Sequence, residues 1–511
     1  MFSASGLATP SLRWCRRTVK HLDPTTSGRQ AALGVFWGTV ERVATQGISF
    51  LVVLILARIL GPETYGLVTL AATIALLGQM LLGETFSHAL IQHKRVEREH
   101  ISSLFWILLG GGVLAAMAQI LLAGALARAF GVAGLAPILR GLSPLPLFSA
   151  LQAVPIAMFK RQLDFRTLTG ASATGTVLGG IVGVSLAYAG FGPWSLVGNL
   201  LVQNAAITIA VWRRSPLRPH SAFSSSALGE LWSYGQYTFL VRLAAFAANQ
   251  SPRILVGYLF GPAALGAFSL GLRVVEILYQ LLVMPAVNVA VPVIAKVRED
   301  PIRLTRAILT ATQLAAMICV PVFVALALVA PVLMPLAFGA KWNASIPIVQ
   351  IMCLYGIVGT CGLIWNSIIA GLGRPHVTLA TTTAAAVIGV SVLLLTARWG
   401  LVAASTAFVI RGYLTLPFMP LVIARLTAVP AATQYRVFIP IIIAASIMAF
   451  AIEVTLVALH VVLTPLALLS AAATVAVGVY AVALSVVARP ALKLGASFFA
   501  QLRPRQDPVR P

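Results

Sequence analysis

Leu60-Gly61-Pro62-Glu63-Thr64-Tyr65-Gly66 joins the end of one long apolar run to the start of the next. Phe260-Gly261-Pro262-Ala263-Ala264-Leu265-Gly266 does the same 200 positions later. Leu70 and Leu270 keep the phase beyond each copy. Two fainter echoes follow at nearly the same offset. Phe130-Gly131 and Pro137-Ile138 match Phe338-Gly339 and Pro347-Ile348, and the turn at Gly192 matches the turn at Gly400. A membrane chain built from two copies of one unit usually works between the copies, near the bilayer midplane. The repeat therefore constrains function as well as fold.

That the chain is a membrane chain follows from what surrounds the repeat. Hydrophobic residues make up 59% of its 511 positions and charged residues 10%, more apolar surface than soluble cores can hide. The charges punctuate apolar runs of about 20 residues, the length that crosses a bilayer core. The reading is an all-α polytopic protein with fourteen transmembrane helices, in two six-helix lobes plus two C-terminal helices. Its divisions are a basic tail (1–29), a first lobe (30–212), a linker (213–230), a second lobe (231–424), two further spans (425–488) and a second basic tail (489–511). The linker carries Arg213, Arg214 and Arg218 with a Ser-rich stretch, and it falls where the repeat predicts a boundary. Six spans is an even number, so both copies insert with the same orientation.

The net charge of +23 reads as topology. Of the 36 Lys and Arg residues, 26 fall on the tails and one set of connections, five on the opposite face and five inside spans. Positive residues collect on the cytoplasmic side, which places both termini there. Nucleic-acid binding is not expected. The four cysteines are far apart and show no disulfide or zinc spacing.

Charges inside spans carry the functional reading. They are Glu41 and Arg42 in the first span, Arg242 and Arg253 in the seventh, Arg273 and Glu276 in the eighth, Arg411 in the twelfth and Glu453 in the thirteenth. A charge at the bilayer centre costs at least about 2.5–3.5 kcal/mol, so such residues face an interior or a wet cavity. Arg242 and Arg253 fall within about 20° on one helical face, and Asn249 shares their stripe. Arg42, Gln46 and Ser49 form a similar line on the first span, the repeat counterpart of the seventh. Other roles are open to the same residues. Arg253 is placed to snorkel to the headgroups, and Arg273 with Glu276 forms an i,i+3 pair able to fix packing. Pro252 is expected to kink the seventh span, while Arg411 and Glu453 read as structural. Five arginines against three glutamates leave the interior positive, which favours an anionic substrate bearing phosphate. Arg42, Arg242, Asn249, Arg253 and Arg273 are the candidate binding residues. Glu41 and Glu276 are candidates for coupling or charge modulation.

Enzyme signatures are missing. No lysine ends a phosphate-binding glycine loop, no zinc helix is present, and the seven histidines are scattered. The longest outer connection, around 331–345, carries Lys341, Trp342 and Asn343 but no acid or histidine. No cofactor or metal is expected.

The stretch from Ile55 through Gly61-Pro62 to Val68 resembles the first hairpin of Wzx-type oligosaccharide flippases, especially the WzxC-like branch. So does Ala89-Leu90-Ile91-Gln92-His93-Lys94-Arg95 with Glu99-His100 and Phe105-Trp106. Val256–Gly266, Gly339-Ala340-Lys341-Trp342 and Gly371-Leu372-Gly373-Arg374-Pro375 are similar to later landmarks of that family. The resemblance spans roughly residues 30–430. It implies a two-lobed bundle related to multidrug exporters of the MATE kind. It also implies movement of undecaprenyl-pyrophosphate-linked sugars between the leaflets of the bacterial inner membrane by alternating access. The implied partners are the bilayer, the lipid-linked oligosaccharide and polysaccharide assembly proteins. Relatives often carry an acidic residue followed by Asn where this chain reads Pro252-Arg253, so ion coupling assigned there does not carry over. The competing readings are a MATE-like drug exporter and, from another class, a membrane glycan polymerase or ligase.

Overall fold

Apolar runs of bilayer length cross singly only as helices, because lipid offers no partner to an unpaired backbone group. The computed structural model describes residues 27–83, 90, 98–162, 164–215, 225–427 and 429–487, which form helices and turns with no strand. In the first part of the chain they are α1 (Ser27–Gly83), α2 (Arg98–Ala129), α3 (Leu135–Gly141), α4 (Pro144–Arg161), α5 (Phe165–Tyr188) and α6 (Pro193–Arg214). Then come α7 (Ser225–Leu278), a π-helical turn, α8 (Met284–Val297), α9 (Pro301–Phe338), a 3-10 turn (Ala340–Ser345) and α10 (Ile346–Gly371). Last are α11 (Pro375–Thr396), α12 (Gly400–Thr415), α13 (Phe418–Leu426), α14 (Ala431–Arg436), α15 (Phe438–Leu459) and α16 (Pro465–Val487).

Eleven stretches of the described residues are long and apolar enough to cross a membrane. Three of these contain a glycine outside helical geometry: Thr45–Met80 holds Gly61, Asn249–Val283 holds Gly261 and His376–Leu426 holds Gly400. Gly61 sits at φ 80°, ψ 173° and Gly261 at φ 81°, ψ −177°, so the sequence repeat is also a repeat of backbone conformation. That region is essentially closed to residues with a Cβ. Pro62 and Pro262 then open the following helical arm, where a missing N–H costs nothing. Through Pro252 the dihedrals of α7 stay helical, and the break comes at Gly261 instead. Losing one hydrogen bond at a proline is tolerated in a membrane helix when the freed carbonyl finds another partner.

By mutual contacts the chain forms two units, Met1–Leu60 with Leu67–Phe246, and Gly61–Gly66 with Ala247–Pro511. Small residues set the closest approaches in the first. A Cβ on Gly179 would lie 2.6 Å from the Asn199 carbonyl oxygen and one on Gly175 2.8 Å from that of Gln203, so α5 and α6 pack almost backbone to backbone. Beside them, Leu104, Phe105 and Leu108 of α2 interlock with Ala150, Ala153, Val154 and Ala157 of α4. Gln152 on α4 is satisfied in this apolar setting by Thr208 Oγ1 at 2.8 Å and the Asn204 carbonyl at 3.0 Å on α6.

In the second unit α9 packs along α10 and also carries the last two helices. Ala316 and Val320 of α9 meet Ile441 and Ala445 of α15, and the Tyr480 hydroxyl of α16 donates to the Met317 carbonyl at 2.9 Å. Both α15 and α16 thus pack on α9. The first repeat turn groups with this unit because it packs against the second. A Cβ on Gly66 would lie 1.8 Å from the Pro262 carbonyl oxygen, and one on Gly266 would lie 1.9 Å from that of Pro62. Trp342, fully buried, packs edge-on against Tyr65 at 5.8 Å and near Phe338 at 6.2 Å.

Candidate functional site

Arg253 and Glu276 stand 23 residues apart in α7, a separation of about 35 Å in a straight helix. They are in direct contact, so the two arms of α7 fold back on each other at Gly261. The direction of the side chains explains the pairing. Arg253 is eight residues before Gly261, about 12 Å down the first arm, and Glu276 is fifteen after it, about 22 Å down the second. Helical side chains lean toward their own N-terminus. Arg253 therefore leans away from the turn and Glu276 toward it, and the two converge well inside the apolar span.

The cluster has three charges. Arg253 Nη2 binds Glu276 Oε1, while Arg273 Nη1 faces Glu276 Oε2 at 3.7 Å. Gln250 Oε1 accepts a hydrogen bond from Arg253 Nη1 at 3.0 Å. Arg253 is the anchored member, with 13% of its side chain exposed, whereas Arg273 and Glu276 keep 33% and 40%. Two guanidinium groups share one carboxylate. Tyr65 lies within electrostatic reach of all three.

Of the candidate residues, this arrangement unites Arg253, Arg273 and Glu276. Arg253 does not snorkel, because its guanidinium is held by Glu276 and Gln250. Asn249 is exposed on the same arm, one turn before Arg253. Glu41, Arg42 and Arg242 fall outside the residues whose side chains are described. Gln250 is the member that sequence reading missed. Its only signal is the i,i+3 spacing to Arg253, which many membrane amides share without consequence.

The other two intramembrane charges behave differently. Arg411 on α12 gives Nη1 to the Ala385 carbonyl of α11 and Nε to the Phe408 carbonyl at 3.4 Å, and it stacks 4.6 Å from the Phe408 ring. Gly389 makes room for it, since a Cβ there would lie 2.9 Å from Arg411 Nη1. Every donor edge so described serves helix packing. Glu453 is exposed on α15, flanked by exposed Phe450 and Val454. Among the described residues no group of His, Cys, Asp and Glu has a metal-binding arrangement, and Cys319, Cys353 and Cys361 are buried and free. The arginine cluster offers charge and planar donors and contains no nucleophile.

Comparison with known proteins agrees on the type of chain. Residues 55–347 match the family described as polysaccharide biosynthesis protein, more than half of the 511-residue chain. The succinoglycan biosynthesis transport protein ExoT of Rhizobium meliloti (strain 1021) is 28% identical over 341 residues, covering 66% of this chain and 69% of the relative. The lipopolysaccharide biosynthesis protein WzxC of Escherichia coli (strain K12) is 24% identical over 338 residues, 64% of this chain and 67% of its own. Among solved structures, an inward closed conformation of the lipid II flippase MurJ superposes with a TM-score of 0.72 at 14% identity, covering 90% of this chain and 99% of that one. An inward-facing multidrug resistance MATE family transporter of the MOP superfamily superposes with a TM-score of 0.61 at 15% identity, over 76% and 98%. At such identities the structures speak for the fold alone.

Proposed function

The chain belongs to the polysaccharide biosynthesis protein family, and on that premise we propose that it is a flippase. It moves undecaprenyl-pyrophosphate-linked oligosaccharide units from the inner to the outer leaflet of the bacterial inner membrane. The product feeds exopolysaccharide, capsule or O-antigen synthesis. The observation that carries the proposal is the cluster of Arg253, Arg273 and Glu276, two guanidinium groups around one carboxylate within an apolar span. Paired guanidinium groups match phosphate oxygens through planar forks, and a drug exporter for lipophilic cations calls for the opposite sign.

The remaining parts fit this reading. Taking Gly61, Gly261 and Gly400 each as the turn between two crossings converts eleven apolar stretches into fourteen helices. Residues 30–212 and 231–424 form the two lobes, 425–488 adds two helices, and both tails face the cytoplasm. Arg253 and Arg273 hold the pyrophosphate, with Asn249 on the same arm as Arg253, and Glu276 tunes the charge. Substrate passes by alternating access, and assembly or polymerising enzymes take it up on the outer face.

The test is leaflet accounting. Deleting the gene should make lipid-linked glycan accumulate facing the cytoplasm, protected from a membrane-impermeant glycan label added outside. If the glycan distribution is unchanged and the deletion instead sensitises cells to cationic drugs, the exporter reading replaces this one.

A further inference from the structure

Glu453 stands on the outward side of α15 with its charge unanswered. The inward side of that helix is occupied: Ile441 and Ala445 pack on Ala316 and Val320 of α9, and Met448 and Ile452 pack on Ala472 and Ala476 of α16. Glu453 is exposed, with Phe450, Val454 and Val457 exposed around it. Among the described residues no cation or hydrogen-bond donor meets its carboxylate. Snorkelling does not relieve it. Glu453 is six residues from the end of α15 at Leu459, about 9 Å along the helix. Helical side chains lean toward their own N-terminus, so this short side chain leans away from the nearer end and toward the bilayer middle.

A second polar group on the same face is in the same condition. Ser446 lies seven residues before Glu453, within about 20° around the helix, and is exposed. The other serine and threonine hydroxyls of α15 and α16 donate to their own backbone: Thr455 to the Ala451 carbonyl, Ser470 to Ala467, Thr474 to Ser470 and Ser485 to Val482. Among the described residues Ser446 makes no such bond. Ile439, Ile443, Phe450 and Val457 complete the line, so exposed residues follow one another at 439, 443, 446, 450, 453 and 457. Alternating steps of four and three residues form the seam by which one helix packs against another. We propose that this seam docks a membrane helix of another protein, one that carries an arginine or lysine within its span and pairs it with Glu453.

Charge selects the occupant. A bare carboxylate in lipid is costly, and a cation at the same depth removes the cost for both helices at once. A guanidinium reaches both carboxylate oxygens through its planar fork, and the Ser446 hydroxyl two turns away fixes the register of the incoming helix. Lipid chains offer neither contact. A second copy of this chain fits worse. Two copies inserted the same way bring Glu453 to Glu453 at one depth, like charge against like. Such docking is independent of what the protein moves.

The experiment uses the full-length protein, acceptor-labelled, in phosphatidylcholine liposomes with donor-labelled peptides of about 23 residues built from leucine and alanine. One peptide carries an arginine at its centre, a depth nearly the same in either insertion direction. The second carries leucine there and the third glutamate. Energy transfer should show wild type binding the arginine peptide about tenfold or more tighter than the leucine peptide. Glu453→Leu should bring the two within about twofold, at an unchanged thermal midpoint, because the exposed side chain supports no packing within the chain. Glu453→Lys should reverse the order and prefer the glutamate peptide. If Glu453→Leu does not fold, Glu453→Gln is read in the same way, and loss of folding in both overturns the proposal by placing Glu453 in the chain's own packing. Equal binding of the arginine and leucine peptides by wild type also overturns it, as does an arginine preference that survives Glu453→Leu. Energy transfer between labelled copies of wild type that disappears in Glu453→Leu would give the seam to a second copy and overturn it too.

Discussion

At the scale of single residues, Arg253 and Arg411 show one residue type in one environment satisfied in two different ways. Both guanidinium groups are inside apolar spans and both must be satisfied. Arg411 spends its donors on backbone carbonyls of Ala385 and Phe408, groups that no ligand displaces. Arg253 spends its own on the side chains of Glu276 and Gln250, groups that a stronger anion can displace. The two substitutions should separate accordingly. Arg253→Gln should abolish most glycan transport while abundance and thermal midpoint in detergent stay near wild type. Arg411→Gln should lower the midpoint, since a hydrogen bond from a charged donor contributes about 1.5–3 kcal/mol, and transport per folded molecule should be retained. Equal loss of abundance in both variants would place Arg253 among the packing residues. The sequence was enough to raise Arg253, Arg273 and Glu276 as candidates, because a buried charge in lipid is expensive enough to need a reason. It was also enough to suspect Arg411 of packing. It did not reveal Gln250, since an amide in a membrane helix costs little and so signals little. Nor did it distinguish a snorkelling Arg253 from an anchored one, which depends on where the returning arm of α7 places Glu276.

At the scale of elements, the Gly-Pro-x-x-x-Gly turns combine two demands that spacing alone cannot separate. The leading glycines, Gly61 and Gly261, serve a backbone conformation. The trailing glycines, Gly66 and Gly266, serve a mutual approach in which each leaves no room for a Cβ beside the other turn's proline carbonyl. The duplication and the turns were legible in residues 60–66 and 260–266. Their reciprocal packing was not, because contact between segments 200 positions apart is a tertiary fact. Trp342 was legible only as a landmark, and its burial against Tyr65 and Phe338 gives the reason for it. Gly66→Ala and Gly266→Ala should each force the turns apart by displacing backbone, and the double variant should cost less than the sum, since one separation relieves both clashes. Trp342→Ala should lower stability by about 3–5 kcal/mol, as expected for an emptied aromatic site. Thermal unfolding followed by size-exclusion recovery reads all four variants. Additive losses in the glycine pair would mean that the two turns do not share a contact.

At the scale of the whole molecule, the proposed flippase function makes charge the quantity that would set how transport is driven. Over a complete cycle every charge of the protein returns to its starting place, whatever Arg253, Arg273 and Glu276 do in between. Only charge that arrives with the substrate and leaves on the other side counts. A sugar-pyrophosphate lipid carries two negative charges, and a cell interior negative to the outside favours their exit. Each charge is worth about 2.3 kcal/mol per 100 mV, so two charges make the outer-to-inner ratio of the lipid change tenfold for about every 30 mV. Proteoliposomes holding the purified protein, a pyrophosphate-linked lipid and a potassium gradient test this directly. Valinomycin sets the potential, and an impermeant glycan label reports the leaflet distribution at steady state. A slope near two charges means that the lipid crosses alone and that Glu276 exchanges no ion during transport. A slope near one assigns one compensating cation to each lipid, with Glu276 as the first carboxylate to examine for it. A flat response would remove the membrane potential as the driving force and require a fully charge-balanced exchange.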